Sequence, residues 1–176
     1  MNAKELMEFN KDRKITQLGI VTDDYKRTIK YLSEKFQWGP WDILIDSQET
    51  SSNVYFEGKE VKEWQFYYVL TNVGDMQIEL LQPITGPNPY DKFLEEYGPG
   101  IHHIKEALPE EKLRERTREF EALGNDNIYG GEDGDDLYSY FDCFRECGFY
   151  YEVGNGAIGD VDLSTLPNYV GRWPEE

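Results

Sequence analysis

The sequence predicts an α+β fold in which a β-α-β-β-β module occurs twice within one domain. A strand followed by a helix in the first half of the chain returns in the second half at nearly the same spacing, and further strand candidates follow each copy. The 176 residues are too few for two independent domains, whereas 39% apolar and 15% aromatic residues suffice for one substantial core.

The first copy begins with ITQLGIV, from Ile15 to Val21, which is typical of a strand. Asp23 and Asp24 then supply a helix cap, and helical spacing places four apolar residues on one face of a helix that ends near Gly39. The strings WDILID, WQFYYVL and MQIELLQ follow as strand candidates. The four helix residues are Tyr25, Ile29, Leu32 and Phe36.

The second copy begins with GIHHIKE, from Gly100 to Glu106. Pro109 suits the first turn of a helix that Gly124 closes, and LYSYFDC and FYYEVG follow as strand candidates. Gln17 and His103 occupy equivalent places 86 residues apart, which indicates a true repeat. The predicted inner face of this helix carries Leu113, Phe120 and Leu123.

The remaining segments divide the chain further. PNPYDKFLEEYG, between the copies, predicts a short helix with Tyr90, Phe93, Leu94 and Tyr97 facing inward. We expect a helical lead-in over residues 1–14, a domain over 15–155 with modules at about 15–83 and 100–155, and a tail over 156–176.

The charge of the chain excludes several classes of partner. A formal net charge of −17, from 35 acidic and 18 basic side chains, repels nucleic acids and anionic membranes. No apolar stretch has the length of a signal peptide or a membrane span, so we expect a cytoplasmic protein. Anionic substrates are disfavoured unless a local basic patch offsets the charge.

Two local patterns have ordinary explanations. Cys143 and Cys147 are too few for a disulfide framework, and free thiols are favoured over a redox pair. The second helix has basic residues that alternate with glutamates, which favours a solvated, salt-bridged face over a phosphate site. These basic residues are Lys112, Arg114, Arg116 and Arg118.

Longer strings carry a family resemblance that spans about Ile15 to Asn155. ITQLGIVTDDYKRTIKYL, QWGPW, MQIELLQPITGPNPYDKFLEEYGPGIHHI and LYSYFDCFRECGFYYEVGN resemble the vicinal-oxygen-chelate superfamily, and within it the methylmalonyl-CoA epimerases and glyoxalase I-like proteins. The resemblance implies two paired modules that form a cupped mixed sheet, a metal bound by four strand residues in the cup, and a homodimer.

The resemblance also implies the ligands. Carried over by position, the metal ligands are Gln17, Glu79, His103 and Glu152. The epimerases have His where this chain has Gln17, and the Gln-Glu-His-Glu set is instead that of zinc-type lactoylglutathione lyases. Two substrate types therefore remain open, a thioester of the 2-substituted malonyl-CoA kind and a glutathione hemithioacetal.

The residue types limit the metal chemistry independently. Because side chains alternate across a strand, we expect only one of His102 and His103 to face the cup. With these two histidines alone in the sequence, one chain cannot then assemble a 2-His-1-carboxylate iron site. One imidazole, one amide and two carboxylates suit a single Zn, Co, Ni, Mn or Mg ion.

The sequence thus favours a metal-dependent isomerase, epimerase or lyase that moves a proton next to a metal-bound carbonyl, as in the methylmalonyl-CoA epimerases. Glu152 is the first candidate for proton transfer, and Glu60, with Glu63 close behind, is the second. A lactoylglutathione lyase-like enzyme and a non-catalytic small-molecule-binding protein of the bleomycin-resistance type are the alternatives. Each polar strand residue alone would be an ordinary surface group. Their joint placement in two modules favours the metal site.

Overall fold

The computed structural model describes residues 1–134, 136–156 and 162–175, and its strands form one mixed sheet of eleven. The helices within this part of the chain are α1 (Ala3–Asn10), α2 (Tyr25–Phe36), α3 (Pro89–Tyr97), α4 (Glu110–Ala122), α5 (Phe144–Cys147) and a 3-10 helix at Leu163–Thr165. The strands are β1 (Ile15–Val21), β2 (Trp41–Ser47), β3 (Ser51–Phe56), β4 (Lys59–Glu60), β5 (Gln65–Val73), β6 (Met76–Thr85), β7 (Gly100–Ala107), β8 (Asn127–Asp133), β9 (Asp136–Phe141), β10 (Tyr150–Gly154) and β11 (Tyr169–Trp173).

The two predicted modules are confirmed. The first is β1-α2-β2-β5-β6 and the second is β7-α4-β8-β9-β10, while the β3-β4 hairpin is an insertion in the first. The strand order is β11-β2-β5-β6-β1-β7-β10-β9-β8-β3-β4. β1 pairs antiparallel with β7 at the junction of the modules, and each of these two strands pairs in parallel with the last strand of its own module.

The sheet curls into a cup because of one short connection. Three residues, 48–50, join β2 to β3, yet these strands stand second and tenth in the sheet order. So few residues span only about 10 Å, so the two ends of the sheet must approach each other. β3 continues the sheet beyond β8, at the far end of the second module.

Clusters of apolar side chains pack against both the inner and the outer face of the curled sheet. The inner cluster includes Val21 and Leu81 and is packed by Tyr90 and Phe93 of α3. Outside, α2 covers the first module through a cluster that contains Ile29. A third cluster, of Leu113, Phe141 and Val153, lies under α4.

Three predicted inward residues are wrong, and all lie at or beside helix ends. Phe36 is the last residue of α2, Tyr97 is the last residue of α3 and Leu123 follows α4. Their exposed fractions are 56%, 51% and 78%. Helical periodicity assigns a face to each residue, but it does not decide whether another element covers that face at the end of the helix.

The predicted solvated basic face of α4 also needs a correction at Arg116. Its side chain is buried and reaches Glu106 of β7 (Nη2 to Oε1, 3.2 Å) and Glu119 (Nη1 to Oε2, 2.8 Å). Glu106 is 0% exposed and also accepts from Arg13 at 2.6–2.7 Å and from the Tyr151 hydroxyl at 2.9 Å. A buried carboxylate with several charged donors satisfies its hydrogen-bonding capacity.

Segments outside the modules attach to this frame. Helix α1 has a capping box between Asn2 and Glu5 and buries none of its own side chains. The C-terminal segment contributes β11, which pairs antiparallel with β2, and Asn168 Nδ2 donates to the carbonyl of Ile45 at 3.0 Å. Among the described residues, no helix has both the length and the apolarity needed to cross a membrane.

We predict that Glu106→Gln lowers the free energy of unfolding by about 3 kcal/mol, because removing one charge leaves buried cationic partners uncompensated. Glu115→Gln, on the exposed face of α4, should change it by less than about 0.5 kcal/mol. Chemical denaturation at pH 7 measures both. Equal effects of the two substitutions would contradict a structural role for the Glu106 cluster.

The same cluster predicts a pH dependence. Hydrogen bonds from Arg13 and Tyr151, with the charges of Arg116 and Arg13, outweigh burial and lower the pKa of Glu106. Its contribution is therefore complete above the pKa of the unfolded chain, about 4.3 for Glu, and is lost as the pH falls through the lower folded-state pKa. The stability difference between wild type and Glu106→Gln should shrink below about pH 4.

Candidate functional site

The four predicted metal ligands lie together inside the cup. Gln17, Glu79, His103 and Glu152 belong to β1, β6, β7 and β10, which are four neighbouring strands at the centre of the sheet. Each of the four residues is between 0% and 3% exposed. The pairing of β1 with β7 therefore brings two of these residues from each module together within a single chain.

The imidazole of His103 is the centre of this group. Its Nε2 lies 3.0 Å from Glu79 Oε2, 3.2 Å from Glu152 Oε2 and 3.3 Å from Gln17 Oε1. The two carboxylate oxygens are buried and neither accepts a hydrogen bond in the described part of the chain, since the close contacts with Nε2 lack hydrogen-bond direction. Two buried carboxylates thus face one ring nitrogen.

The other oxygen of each glutamate is held by a donor. Gln17 Nε2 donates to Glu79 Oε1 at 3.0 Å and to Gln77 Oε1 at 2.5 Å, which turns the amide oxygen of Gln17 toward His103. Lys105 Nζ lies 3.0 Å from Glu152 Oε1. Both carboxylates are therefore oriented from behind, with Oε2 left facing His103.

The position of His103 depends on Gly19. A Cβ on Gly19 would lie 2.0–2.4 Å from three atoms of the imidazole ring, so any larger residue would displace the ring. Gly19 and His103 are direct partners between β1 and β7. The glycine gives the ring space to lie flat across the neighbouring strand.

The expectation that only one histidine faces the cup is wrong. The β1–β7 register shifts between the Gly19–His103 and Ile20–Ile101 pairs, which leaves His102 as the extra residue of a bulge. A bulge interrupts the alternation of side chains, and both rings contact Tyr140 in the inner cluster. His103 nevertheless is the one beside Gln17 and the glutamates, as predicted.

The donor set fits a divalent ion by its chemistry. Atoms bound to one ion at about 2.1 Å are roughly 3.0–3.4 Å apart, which matches the three distances from His103 Nε2. The two buried carboxylate oxygens without donors supply the negative charge that a cation compensates. As the side chains stand, however, no group of three or more His, Cys, Asp and Glu residues in the described ranges is arranged to hold a metal. The metal site therefore stays a prediction.

A cavity of about 450 Å³ lies against the two glutamates, and we call it the chamber. Besides Glu79 and Glu152, its wall contains Lys105 and several tyrosines and acids. The C-terminal segment contributes Leu163 and Leu166. The tyrosines are Tyr68, Tyr90, Tyr129, Tyr138 and Tyr140, and the other acids are Asp46, Glu49, Asp133 and Asp136.

Burial changes the acidity of groups in the chamber wall. Burial raises the pKa of Asp46 to about 7, although hydrogen bonds from Thr50 and Ser51 oppose the shift. Burial lowers the pKa of Lys105, but the charge of Glu152 and their hydrogen bond outweigh it, and the net pKa is raised. Lys105 therefore stays charged, whereas Asp46 can gain or lose a proton near neutral pH.

The two glutamates proposed as a second base lie elsewhere. Glu60 is on β4, with 69% of its side chain exposed and Lys62 Nζ 3.5 Å away. Glu60 and Glu63 border a separate surface depression beside Trp64. The structure does not bring them to the chamber.

Sequence reasoning missed Lys105 and Asp46 as groups of the chamber. Lys105 carried a usable signal, because it lies two residues after His103 on the same strand and shares its face. Asp46 carried none, since its access to the chamber comes from the curl of the sheet at the end of β2. Cys143 and Cys147 are free thiols, as expected.

Comparisons with known proteins agree with this architecture. The sequence profile of the Glyoxalase/Bleomycin resistance protein/Dioxygenase superfamily matches residues 16–137. No curated protein matches the chain in sequence. A hypothetical protein from Bacillus halodurans is 18% identical with a TM-score of 0.62, and the match covers 86% of this chain and 99% of that one.

Two methylmalonyl-CoA epimerases are similar in structure. The enzyme from Mycobacterium tuberculosis is 16% identical with a TM-score of 0.57, over 81% of this chain and 87% of that chain. An epimerase in complex with methylmalonyl-CoA and an ammonium ion is 17% identical with a TM-score of 0.60, over 83% and 96%. At these identities the likeness concerns the fold. With its two modules, its curled sheet and a profile match over more than half of its length, the chain belongs to the glyoxalase, bleomycin-resistance and dioxygenase superfamily.

Proposed function

We propose that the protein is a divalent-metal-dependent isomerase, epimerase or lyase that moves a proton on the carbon next to a carbonyl. One observation carries the proposal, namely that three oxygen atoms from two modules lie 3.0–3.3 Å from the same imidazole nitrogen in a buried site. Burying two carboxylates costs desolvation free energy, which a bound cation would offset. The chamber beside it offers room for a substrate.

Gln17, Glu79, His103 and Glu152 would hold the ion. A bound divalent ion acts as a Lewis acid and stabilises the negative charge that develops on a carbonyl oxygen when the neighbouring carbon loses its proton. The chain supplies two carboxylates, which leave the loaded site close to neutral. The amide and imidazole complete the set without adding charge.

Proton transfer is assigned first to Glu152. Its Oε2 faces the ligand group while its Oε1 is held by Lys105 at 3.0 Å, so the carboxylate borders the chamber in a defined orientation. A carboxylate that is both ligand and chamber wall can take a proton from a substrate bound at the site.

Asp46 is proposed as the second proton carrier, in the role that the sequence assigned to Glu60. It lines the same chamber as Glu152 but from β2, and burial raises its pKa to about 7. An acid with a pKa near the working pH is suited both to donate and to accept a proton. Two carboxylates on different strands also match an epimerisation, which needs a proton carrier on each face of the carbon.

The chamber supports a compact acyl or carbonyl group as the part of the substrate that enters. A neighbour in the superfamily fold is described in complex with methylmalonyl-CoA. Here the chamber wall includes four acids besides the glutamate ligands, and Lys105 is paired with Glu152. A coenzyme A body or a glutathione chain would therefore remain outside. We favour the epimerase-like reaction, with a glutathione hemithioacetal lyase as the alternative substrate class.

The first test is metal content. We predict one divalent ion per chain by elemental analysis. Glu79→Ala and His103→Ala should weaken zinc binding by more than the roughly 10- to 100-fold that loss of an outer contact costs. Gln17→Ala should weaken it less, because a neutral amide is the poorest ligand of the set. Glu60→Ala is the matched control and should bind as wild type does. Metal-free wild-type protein after saturation with zinc would contradict the proposal.

A second test uses Gly19. Gly19→Ala pushes the His103 ring from its place, so zinc affinity should fall roughly 10- to 100-fold while the thermal unfolding curve remains cooperative. Gly100→Ala on β7 is the control, because its added Cβ would meet only Phe93 at an ordinary 3.9 Å. Isothermal titration with zinc measures both. Unchanged affinity in Gly19→Ala would remove His103 from the metal site.

A third test measures the proposed reaction. Deuterium wash-in next to the carbonyl, followed over a panel of acyl thioesters and glutathione hemithioacetals, should identify substrates. With a substrate found, Glu152→Gln and Asp46→Asn should each slow exchange by about 10²- to 10⁴-fold. Glu152→Gln should largely retain the metal, since the amide keeps an oxygen ligand. Exchange that survives both substitutions would contradict the assigned proton carriers.

The pH profile separates the two carboxylates. If Asp46 accepts the proton, exchange rises with pH up to its pKa of about 7 and then levels off. Asp46→Asn should abolish that inflection. If the metal-loaded protein exchanged deuterium into none of the panel compounds, a non-catalytic binding protein would be favoured.

A further inference from the structure

His102 is a buried residue that the proposed chemistry leaves without a role. It is 1% exposed, and its Nδ1 lies 3.0 Å from Nδ1 of His103. The contact is made by Nδ1 of His103, whereas Nε2 of the same ring is the nitrogen beside Gln17 and the glutamates. His102 therefore contacts the ligand group from behind.

The bulge in β7 makes this contact feasible. In a regular strand, neighbouring side chains point to opposite faces. The register shift between Gly19–His103 and Ile20–Ile101 breaks the alternation at His102, and the two rings stand nearly perpendicular, at 88°, with centroids 5.3 Å apart. Edge-to-edge contact of the two Nδ1 atoms follows from this arrangement.

Four aromatic rings surround the His102 ring. Tyr90 and Phe93 each form a T-shaped contact with centroids 5.1 Å away, and Tyr140 and Tyr150 complete the surroundings at 5.9 Å and 4.8 Å. Its Nε2 is buried and makes no hydrogen bond in the described part of the chain. An N–H group can point favourably at an aromatic face, whereas a bare nitrogen lone pair gains nothing there.

The number of protons is also constrained. His102 is buried among aromatic rings with no carboxylate against it, which fits a neutral ring that carries one N–H. The aromatic surroundings favour that N–H on Nε2. Nδ1 of His102 is then an acceptor, and the contact of 3.0 Å requires the N–H of His103 to be on its own Nδ1.

We propose that His102 is a positioning residue that accepts a hydrogen bond from Nδ1–H of His103 and so directs the lone pair of His103 Nε2 toward Gln17, Glu79 and Glu152. The inference rests on the proposed function only in requiring that a divalent ion binds there. An outer partner of this kind holds both the orientation and the tautomer of a ligating imidazole. In this chain an imidazole takes the place of the more usual carboxylate or carbonyl partner.

The chain is well suited to a direct test, because it contains two histidines and hence four ring nitrogens. Protein with ¹⁵N-labelled histidine, loaded with zinc, should show one ring protonated on Nδ1 with a metal-bound Nε2, and one ring protonated on Nε2. His102→Asn assigns the two rings. A zinc-loaded protein in which His102 carries its proton on Nδ1 would overturn the inference and leave the proposed function intact. Failure of zinc to bind any ring nitrogen would overturn both.

Substitutions of His102 test the same inference through zinc affinity. His102→Phe keeps the aromatic packing but removes the acceptor, and zinc affinity should fall roughly 10- to 100-fold. His102→Asn places an amide oxygen near the position of Nδ1 and should recover most of that loss. Thermal unfolding of each variant separates packing from positioning. Equal weakening by Phe and Asn, or none by either, would refute the role, and the nitrogen spectrum of the wild type decides the matter if His102→Phe does not fold.

Discussion

The antiparallel pairing of β1 with β7 is the constraint on which the rest of the structure depends. It is the one contact between the strands that begin the two modules, and it makes β6, β1, β7 and β10 neighbours. Each of these four strands contributes one of the four residues that we propose as ligands. Without this pairing, each module would expose two polar groups on an unfinished sheet. With it, Gln17 and Glu79 meet His103 and Glu152 in a buried site.

The buried charges of the site account for the hydrogen-bond donors that surround it. Two glutamates at 2–3% exposure are costly in an apolar interior, and each has one oxygen held by a donor of the chain. The remaining oxygens face His103, whose ring is confined by Gly19 on one side and contacts His102 on the other. Because neighbouring side chains already hold them, these residues would lose little further freedom if the proposed ion bound.

The chamber wall includes residues outside the part of the chain that the superfamily profile matches. The structural neighbours are covered over 87–99% of their own length, while 81–86% of this chain is matched. The superfamily profile ends at residue 137, and beyond it Leu163 and Leu166 line the chamber and β11 extends the sheet. The acids of the wall add a field that opposes anionic ligands. Fold likeness and substrate thus rest on different residues.

The sequence by itself predicted the repeated module, because alternation and helical spacing are local patterns and the two copies can be aligned. The resemblance to the superfamily singled out Gln17, Glu79, His103 and Glu152, which the structure brings together. Their role as metal ligands stays a prediction. Only the tertiary structure decided that residues beyond 156 include a strand, that Arg116 is buried against Glu106, and that Asp46 reaches the chamber while Glu60 does not. It also decided that the His102 side chain lies inside the cup, as that of His103 does. These features arise from the curl of the sheet and from a one-residue register shift between strands more than 80 residues apart in sequence, and no local periodicity encodes them.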